Sequence, residues 1–171
     1  MRLLKQNARI LKQNAQLLKQ SARIIYEVVF MGKRRVRKKG AHLLPRISRG
    51  INTMCRLVCS DNSGGKILKV IAVIGYKGRL NRLPSAGVGS MIVASVIKGT
   101  PEMRRQIIRA IIIRQRKPFR RADGRWIQFE DNAAVITSPV GDPKGSEIRG
   151  VVAKEAAERW PRLASQAAMV V

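Results

Sequence analysis

Residues Ile107 to Asp131 read IIRAIIIRQRKPFRRADGRWIQFED, and this stretch decides the architecture. It opens as an apolar β-branched run, Ile107-Ile108 and Ile111-Ile112-Ile113. It then becomes a cationic cluster of Arg114, Arg116, Lys117, Arg120 and Arg121, with Phe119 inside it. Asp123-Gly124 is a turn signal, and a second short run follows from Trp126 to Phe129. The pattern predicts a strand, a basic loop and a returning strand. On this reading the sheet anchors the loop and five cations project from it. Like charges held that close repel unless a polyanion neutralises them, and nucleic-acid phosphate fits.

The rest of the chain shares the charge. It carries 35 Lys and Arg against 10 Asp and Glu, for a net charge of +25. Residues 1–50 hold 14 basic and 1 acidic residue, so the remainder is itself a polycation. Aromatic residues make up only 4%. This argues against a platform that stacks single-stranded bases on many rings and favours phosphate and shape contacts. No apolar run approaches the ~20 residues of a membrane span.

Moving outward from the ribbon, short strands are predicted at Thr53–Cys59, Lys66–Ile74, Met91–Ile97, Ile107–Ile113, Trp126–Phe129 and Ala133–Thr137. Asp61 to Gly65 is a turn, and longer loops span Gly75–Gly89 and Gly141–Gly150. Short strands with regular turns predict a small closed barrel. A helix is predicted over Val151–Arg159, ended by Pro161, and a second around Leu163–Ala168. The order is barrel first, helices after. Trp160 is expected to pack on the barrel and be mostly buried, against a rival reading as an exposed docking anchor for a partner.

The loop from Gly75 to Pro84 adds Lys77, Arg79 and Arg82, with glycines that let backbone approach phosphate. Beside the Arg114–Arg121 cluster it predicts one cationic face built from two loops. Chemistry, by contrast, is poorly supplied. His42 is the single histidine, and no nucleophile–base pair, Walker motif or dinucleotide fingerprint is present. Cys55 and Cys59 on one strand would lie roughly 13 Å apart, too far for a disulfide. With no further cysteine, two thiols in a reducing compartment are expected, and no metal, cofactor or catalytic residue.

The N-terminal part divides at about residue 30. Residues 5–25 repeat every seven: KQNARIL, KQNAQLL, KQSARII. Ala8, Leu11, Ala15, Leu18, Ala22 and Ile25 form a helical stripe. The residues leave three readings open: a short coiled-coil seam, a basic transit or surface helix, or a segment preceding a true start at Met31. Residues 31–50 hold eight cations and no acid, a composition that cannot form a core. They read as an extended basic arm, either a solubilising tail or an arm threaded into RNA. The organisation is thus a heptad-like extension at 1–30, a basic arm at 31–50 and a barrel domain at 51–171.

Several motifs occur together and in order: Asp61-Asn-Ser-Gly-Gly-Lys66, Gly78-Arg-Leu-Asn-Arg-Leu-Pro84, Ile113-Arg-Gln-Arg-Lys117, Phe129-Glu-Asp-Asn-Ala133, Lys144-Gly-Ser146, Val152-Ala-Lys-Glu155 and Trp160-Pro-Arg162. Over about Ile47 to Val171 the chain resembles the universal large-subunit ribosomal protein fourteen family, in its archaeal and eukaryotic cytosolic branch. Ser90 departs from the pattern, at a position where an acidic residue is expected. The resemblance implies a mainly β fold, a five-stranded closed barrel with a projecting basic β-ribbon and short C-terminal helices. It implies a non-enzymatic structural role in the cytoplasmic ribosome, binding large-subunit rRNA through Lys66, Lys77, Arg79, Arg82, Arg114, Arg116, Lys117, Arg120, Arg121 and Lys144. It further implies contact with small-subunit rRNA at an intersubunit bridge and with neighbouring large-subunit proteins. An anti-association initiation factor would dock on the C-terminal helices, where Glu155, Glu158 and Arg162 are the expected contacts. A free-standing RNA-binding barrel acting as a translation regulator is the alternative.

Overall fold

A computed structural model describes residues 47–171; the 1–30 extension and most of the 31–50 arm lie outside the described residues. Five strands close the barrel in the order β2-β3-β5-β6-β9. These are β2 (Arg56–Cys59), β3 (Gly65–Val73), β5 (Met91–Gly99), β6 (Ile107–Arg114) and β9 (Ala133–Thr137). All neighbours are antiparallel except β2 and β9, which close the barrel in parallel. A two-residue pair, β1 (Ile51–Asn52) with β4 (Ser85–Ala86), sits beside it.

From Ala110 to Ile113 the strand β6 is continuously apolar because both of its faces are buried there. Alternate side chains on a strand point to opposite faces. Ile108, Ala110 and Ile112 therefore face the barrel interior, with Leu57, Leu68, Val70, Ile92, Val96 and Ile136. Ile111 and Ile113 face outward, into a second core with Val135, Phe119, Ile148, Val152, Ala156 and Leu163. Each fully buried aliphatic or aromatic side chain stabilises by about 1.5–3 kcal/mol. The second core fastens the base of the ribbon and the C-terminal segment to the barrel wall.

The ribbon is a separate hairpin. β7 (Phe119–Arg120) pairs with β8 (Trp126–Ile127), and Gly124 takes φ +84 in the turn between them. The expected returning strand thus pairs with Phe119–Arg120 rather than with β6, and it stops at Ile127. Thr53–Cys59 is likewise not one strand. Met54 adopts φ 69, so pairing stops at Asn52 in β1 and resumes only at Arg56, leaving β2 as the strand within that span.

After β9 the chain forms β10 (Ile148–Val152), α1 (Lys154–Arg159), α2 (Pro161–Gln166) and β11 (Ala167–Val170), with β10 and β11 paired in parallel. The helix expected from Val151 therefore starts three residues later. Its first two residues belong to a β-branched strand that is bulged between Ile148 and Val151. Pro161 does not only end a helix; it opens the next one at its first turn, where a missing N–H costs nothing. Among the described residues no helix is long and apolar enough to cross a membrane.

Trp160 joins the two helices and packs against the second core while remaining half-buried. Its indole N–H donates to the Gly89 carbonyl at 2.9 Å. Its ring also fills the space where a side chain on Gly141 (φ +106) would sit. Trp160→Ala is expected to cost about 3 kcal/mol, the lower end of the range for large aromatic truncations. Urea unfolding of the purified chain measures it. An unchanged midpoint would instead make the ring an exposed anchor for a partner.

Candidate nucleic-acid interface

The barrel topology brings the two basic loops together. β3 and β6 both run antiparallel to β5, so they leave the barrel at the same end. The loop after β3 carries Lys77, Arg79 and Arg82, all exposed. Its shape is set by Asn81 at φ 60 and by the Arg82 N–H donating to the Arg79 carbonyl at 3.1 Å. The ribbon after β6 carries Arg116, Lys117 and Arg120, also exposed.

The last residues of the basic arm join these two loops. Gln115 is fully buried, and its amide donates to the carbonyls of Ser48 and Lys117, each at 2.9 Å. The Ser48 hydroxyl donates to the Pro118 carbonyl at 2.8 Å, and Lys117 Nζ donates to the Arg49 carbonyl at 3.3 Å. A Cβ on Gly50 would lie 2.6 Å from Lys117 Cβ, so only glycine lets the arm pass this close. On the other side the Arg49 guanidinium lies 5.2 Å from the Tyr76 ring centroid, in cation–π range. Arm, loop and ribbon form one continuous cationic surface.

Two of the five ribbon cations do not project. A register shift between Ile112 and Arg114 bulges β6 at its end, and a bulge re-aims the side chain it displaces. The Arg114 guanidinium, with 12% of its side chain exposed, turns onto Asp131 and donates to both carboxylate oxygens at 2.8 and 2.9 Å. It also donates to the Val151 carbonyl at 2.6 Å and to Ser60 Oγ at 2.9 Å. Those hydrogen bonds hold the Asp131 carboxyl below the usual carboxylate range, against a smaller opposing effect of burial. Arg121 turns onto Glu155, with Nε at 2.5 Å from Oε1, and donates to the Val171 carbonyl at 2.7 Å. The chain therefore supplies carboxylates for Arg114 and Arg121 itself, and the expectation of five free ribbon cations is corrected to three.

Glu155 is corrected with them. It was expected on an exposed, partner-facing helix surface; only 7% of its side chain is exposed, and it serves as the internal counter-ion of Arg121. Glu158 is exposed and lies 3.9 Å from Lys154 one turn away, while exposed Arg162 pairs with Asp142 at 2.7 Å. Lys66 and Lys144 are exposed but lie away from the ribbon end, at the start of β3 and after β9. At Ser90 the hydroxyl oxygen accepts from the Gly87 N–H at 3.4 Å, within a turn closed by the Ser90 N–H on the Gly87 carbonyl.

Sequence reasoning missed Arg49 and Arg125, both exposed beside the loops, and the pair Arg56 and Lys69. Arg56 lies directly opposite Lys69 on β2 and β3. Like charges in such a pair destabilise the sheet unless an anion joins them. Only the strand register reveals this pair, and register is not visible in a single sequence.

The thiol of Cys59 donates to Asp61 Oδ1 at 3.0 Å. Burial, and then the Asp61 charge, push its pKa far up, so it stays a thiol and is a poor nucleophile and metal ligand. Among the described residues no group of three His, Cys, Asp or Glu side chains is placed to hold a metal ion.

Residues 50–171 match the family described as Ribosomal protein L14p/L23e. The chain is 58% identical over 124 residues to "Large ribosomal subunit protein uL14" of Methanococcus vannielii, covering 72% of this chain and 94% of that protein. It is 59% identical over the same length to the protein of that name from Methanococcus maripaludis, with the same coverage of both chains. The counterpart from Methanothrix thermoacetophila is 58% identical over 126 residues, 74% of this chain and 96% of the relative.

Proposed function

Because the chain belongs to the Ribosomal protein L14p/L23e family, we propose that its cationic end is the surface by which it grips large-subunit rRNA. The protein is a structural, non-enzymatic constituent of the large subunit of the cytoplasmic ribosome, as its family membership establishes. The grip is assigned to Arg49, Lys77, Arg79, Arg82, Arg116, Lys117 and Arg120. The observation that carries it is the continuity of arm, loop and ribbon, locked through Gln115 and Gly50. A rigid array of cations releases counterions on binding without first ordering its own backbone. Lys66 and Lys144 add phosphate contacts elsewhere on the barrel. Arg114 and Arg121 act in this grip indirectly, by fixing the root of the ribbon.

The finer placement rests on the same surface chemistry. A ribbon that projects from the barrel with Trp126 67% exposed suits a contact reaching beyond the protein's own rRNA pocket, toward small-subunit rRNA at an intersubunit bridge. The C-terminal segment presents Glu158 and Arg162 and exposed Met169, Val170 and Val171, a mixed surface suited to neighbouring proteins or an anti-association initiation factor.

Sedimentation of a tagged chain after a moderate salt wash tests the assignment. Co-migration with free large subunits and with whole ribosomes is expected. A chain recovered only in the soluble fraction would favour a free-standing translation regulator. Loss of subunit joining in a ribbon-tip variant, Arg125→Glu with Trp126→Ser, is the result expected of a bridge. Unchanged joining would remove the bridge from the proposal.

A further inference from the structure

We infer that Lys66, Lys98 and Arg104 form a second phosphate-binding site, at the opposite end of the barrel from the ribbon, so that the domain clamps two separate stretches of rRNA backbone. The inference rests on the reading that this is an rRNA-binding protein, and it adds two residues, Lys98 and Arg104, that neither motif nor composition singles out.

The site is placed by topology. β5 runs from Met91, beside the loop that carries Lys77 and Arg79, to Gly99. There it meets the start of β3, with Gly65 opposite Gly99 and Ile67 opposite Lys98. The hairpin to β6 turns at this end and supplies Arg104. Lys66, Ile97, Lys98, Gly99 and Arg104 together line an open hollow of about 340 Å³. Its lining holds three cations, one aliphatic side chain and no carboxylate. The four ion pairs among the described residues involve none of the three. Glu102, the carboxylate of the same hairpin, does not line the hollow.

The hollow is rigidly built. A Cβ on Gly99 would lie 2.6 Å from the Gly64 carbonyl oxygen, so the hairpin and the Asn62–Gly65 turn are in backbone contact. The Thr100 N–H donates to that same carbonyl at 2.9 Å. The N–H groups of Met103 and Arg104 both donate to the Thr100 carbonyl, and the Arg105 N–H donates to Val96. Arg105 takes φ 66 to close the hairpin, and Met103 packs against the interior core. Arg104 thus follows an anchored residue in a fixed turn. Three exposed cations around a shallow, open hollow with one aliphatic side chain and no carboxylate in its lining suit an extended phosphate chain, whose charge all three can reach.

The two ends are independent electrostatically. Nine residues of β5 separate them, roughly 25 Å of strand. The Debye length at physiological salt is only about 8 Å. Neutralising one end therefore leaves the other unsatisfied, and the contributions to binding should add.

Four full-length chains test this against deproteinised large-subunit rRNA: the parent, Lys66→Gln/Lys98→Gln/Arg104→Gln, Arg116→Gln/Lys117→Gln/Arg120→Gln, and the combination. All six side chains are exposed, and an unchanged melting temperature confirms that each variant folds. Each triple is expected to flatten the slope of log K against log salt by as much as ~2–3, and the combination by the sum. A slope lowered by the ribbon triple alone would overturn the second site and leave the rRNA reading standing. A slope lowered by neither would overturn both. Acylation of Lys66 and Lys98 in intact subunits supplies a separate check, and both are expected to be protected. Protection combined with an unchanged slope would mean that an acidic protein segment occupies the hollow, and the inference would fail.

Discussion

Replacing Lys77, Arg79, Arg82, Arg116, Lys117 and Arg120 with Gln should abolish tight binding to large-subunit rRNA while leaving the domain folded. Each phosphate contact contributes ~0.7–0.9 to the salt slope, so losing all six lowers it by roughly 4–5. The counterion term vanishes near 1 M salt, so this slope change is on the order of a 10⁴-fold loss of affinity at about 0.1 M. Folding is spared because none of the six lies in either core and all are exposed. Lys117 gives up one hydrogen bond to the Arg49 carbonyl, which glutamine can partly replace. Fluorescence anisotropy across a salt series reads both slope and affinity. A slope within one unit of the parent would place these charges in solvent.

Arg114→Met should do the reverse, leaving the phosphate-binding surface in place and destabilising the fold. Methionine keeps the reach of the side chain but strands Asp131, the Val151 carbonyl and Ser60 Oγ. Breaking one side of a buried pair costs about 3–5 kcal/mol, and the low end applies because the Asp131 side chain is still 37% exposed. At roughly 4 °C per kcal/mol for a domain this size, Tm should fall by about 12 °C. Arg114→Met/Asp131→Asn should recover part of the loss by removing the stranded charge.

The pH dependence of that pair has a definite sign. Asp131 has a folded pKa below its unfolded value, because Arg114 hydrogen-bonds its charged form. Its contribution is therefore fully present above the ordinary carboxylate value and is lost as pH falls through the folded value. Below about pH 4 the parent should lose stability more steeply than Arg114→Met. Parallel acid limbs in the two proteins would contradict the assignment.

The residues that reveal the barrel in sequence are those whose surroundings are local. Ile107–Ile113 is legible as a strand because five of its seven residues are isoleucine, and Asp123-Gly124 marks the turn of the ribbon. The same run hides that β6 serves two cores, since an all-apolar strand gives no alternation to assign faces. β1 and β4, of two residues each, fall below any periodic signal. Val151-Val152 merges in sequence with an alanine-rich helical pattern because its partner strand, β11, lies beyond both helices.

The cationic site divides along the same line. Composition alone finds Arg79, Arg82, Arg116, Lys117 and Arg120. It cannot separate them from Arg114 and Arg121, whose carboxylate partners lie 17 and 34 residues away. Lys98 and Arg104 escape notice because a strand end and a turn separate them in sequence, and only the hairpin brings them to one hollow. The basic arm was legible as an arm, but its attachment depends on Gln115 and Gly50. Neither residue type signals an interface.

Ultraviolet cross-linking of intact large subunits, with mass spectrometry of the cross-linked peptides, tests the central assignment most directly. Peptides spanning residues 47–50, 76–82 and 115–121 should carry large-subunit rRNA nucleotides, with those at 76–82 and 115–121 joined to the same region of rRNA. Recovery of rRNA adducts from this chain with none at 76–82 or 115–121 would contradict it.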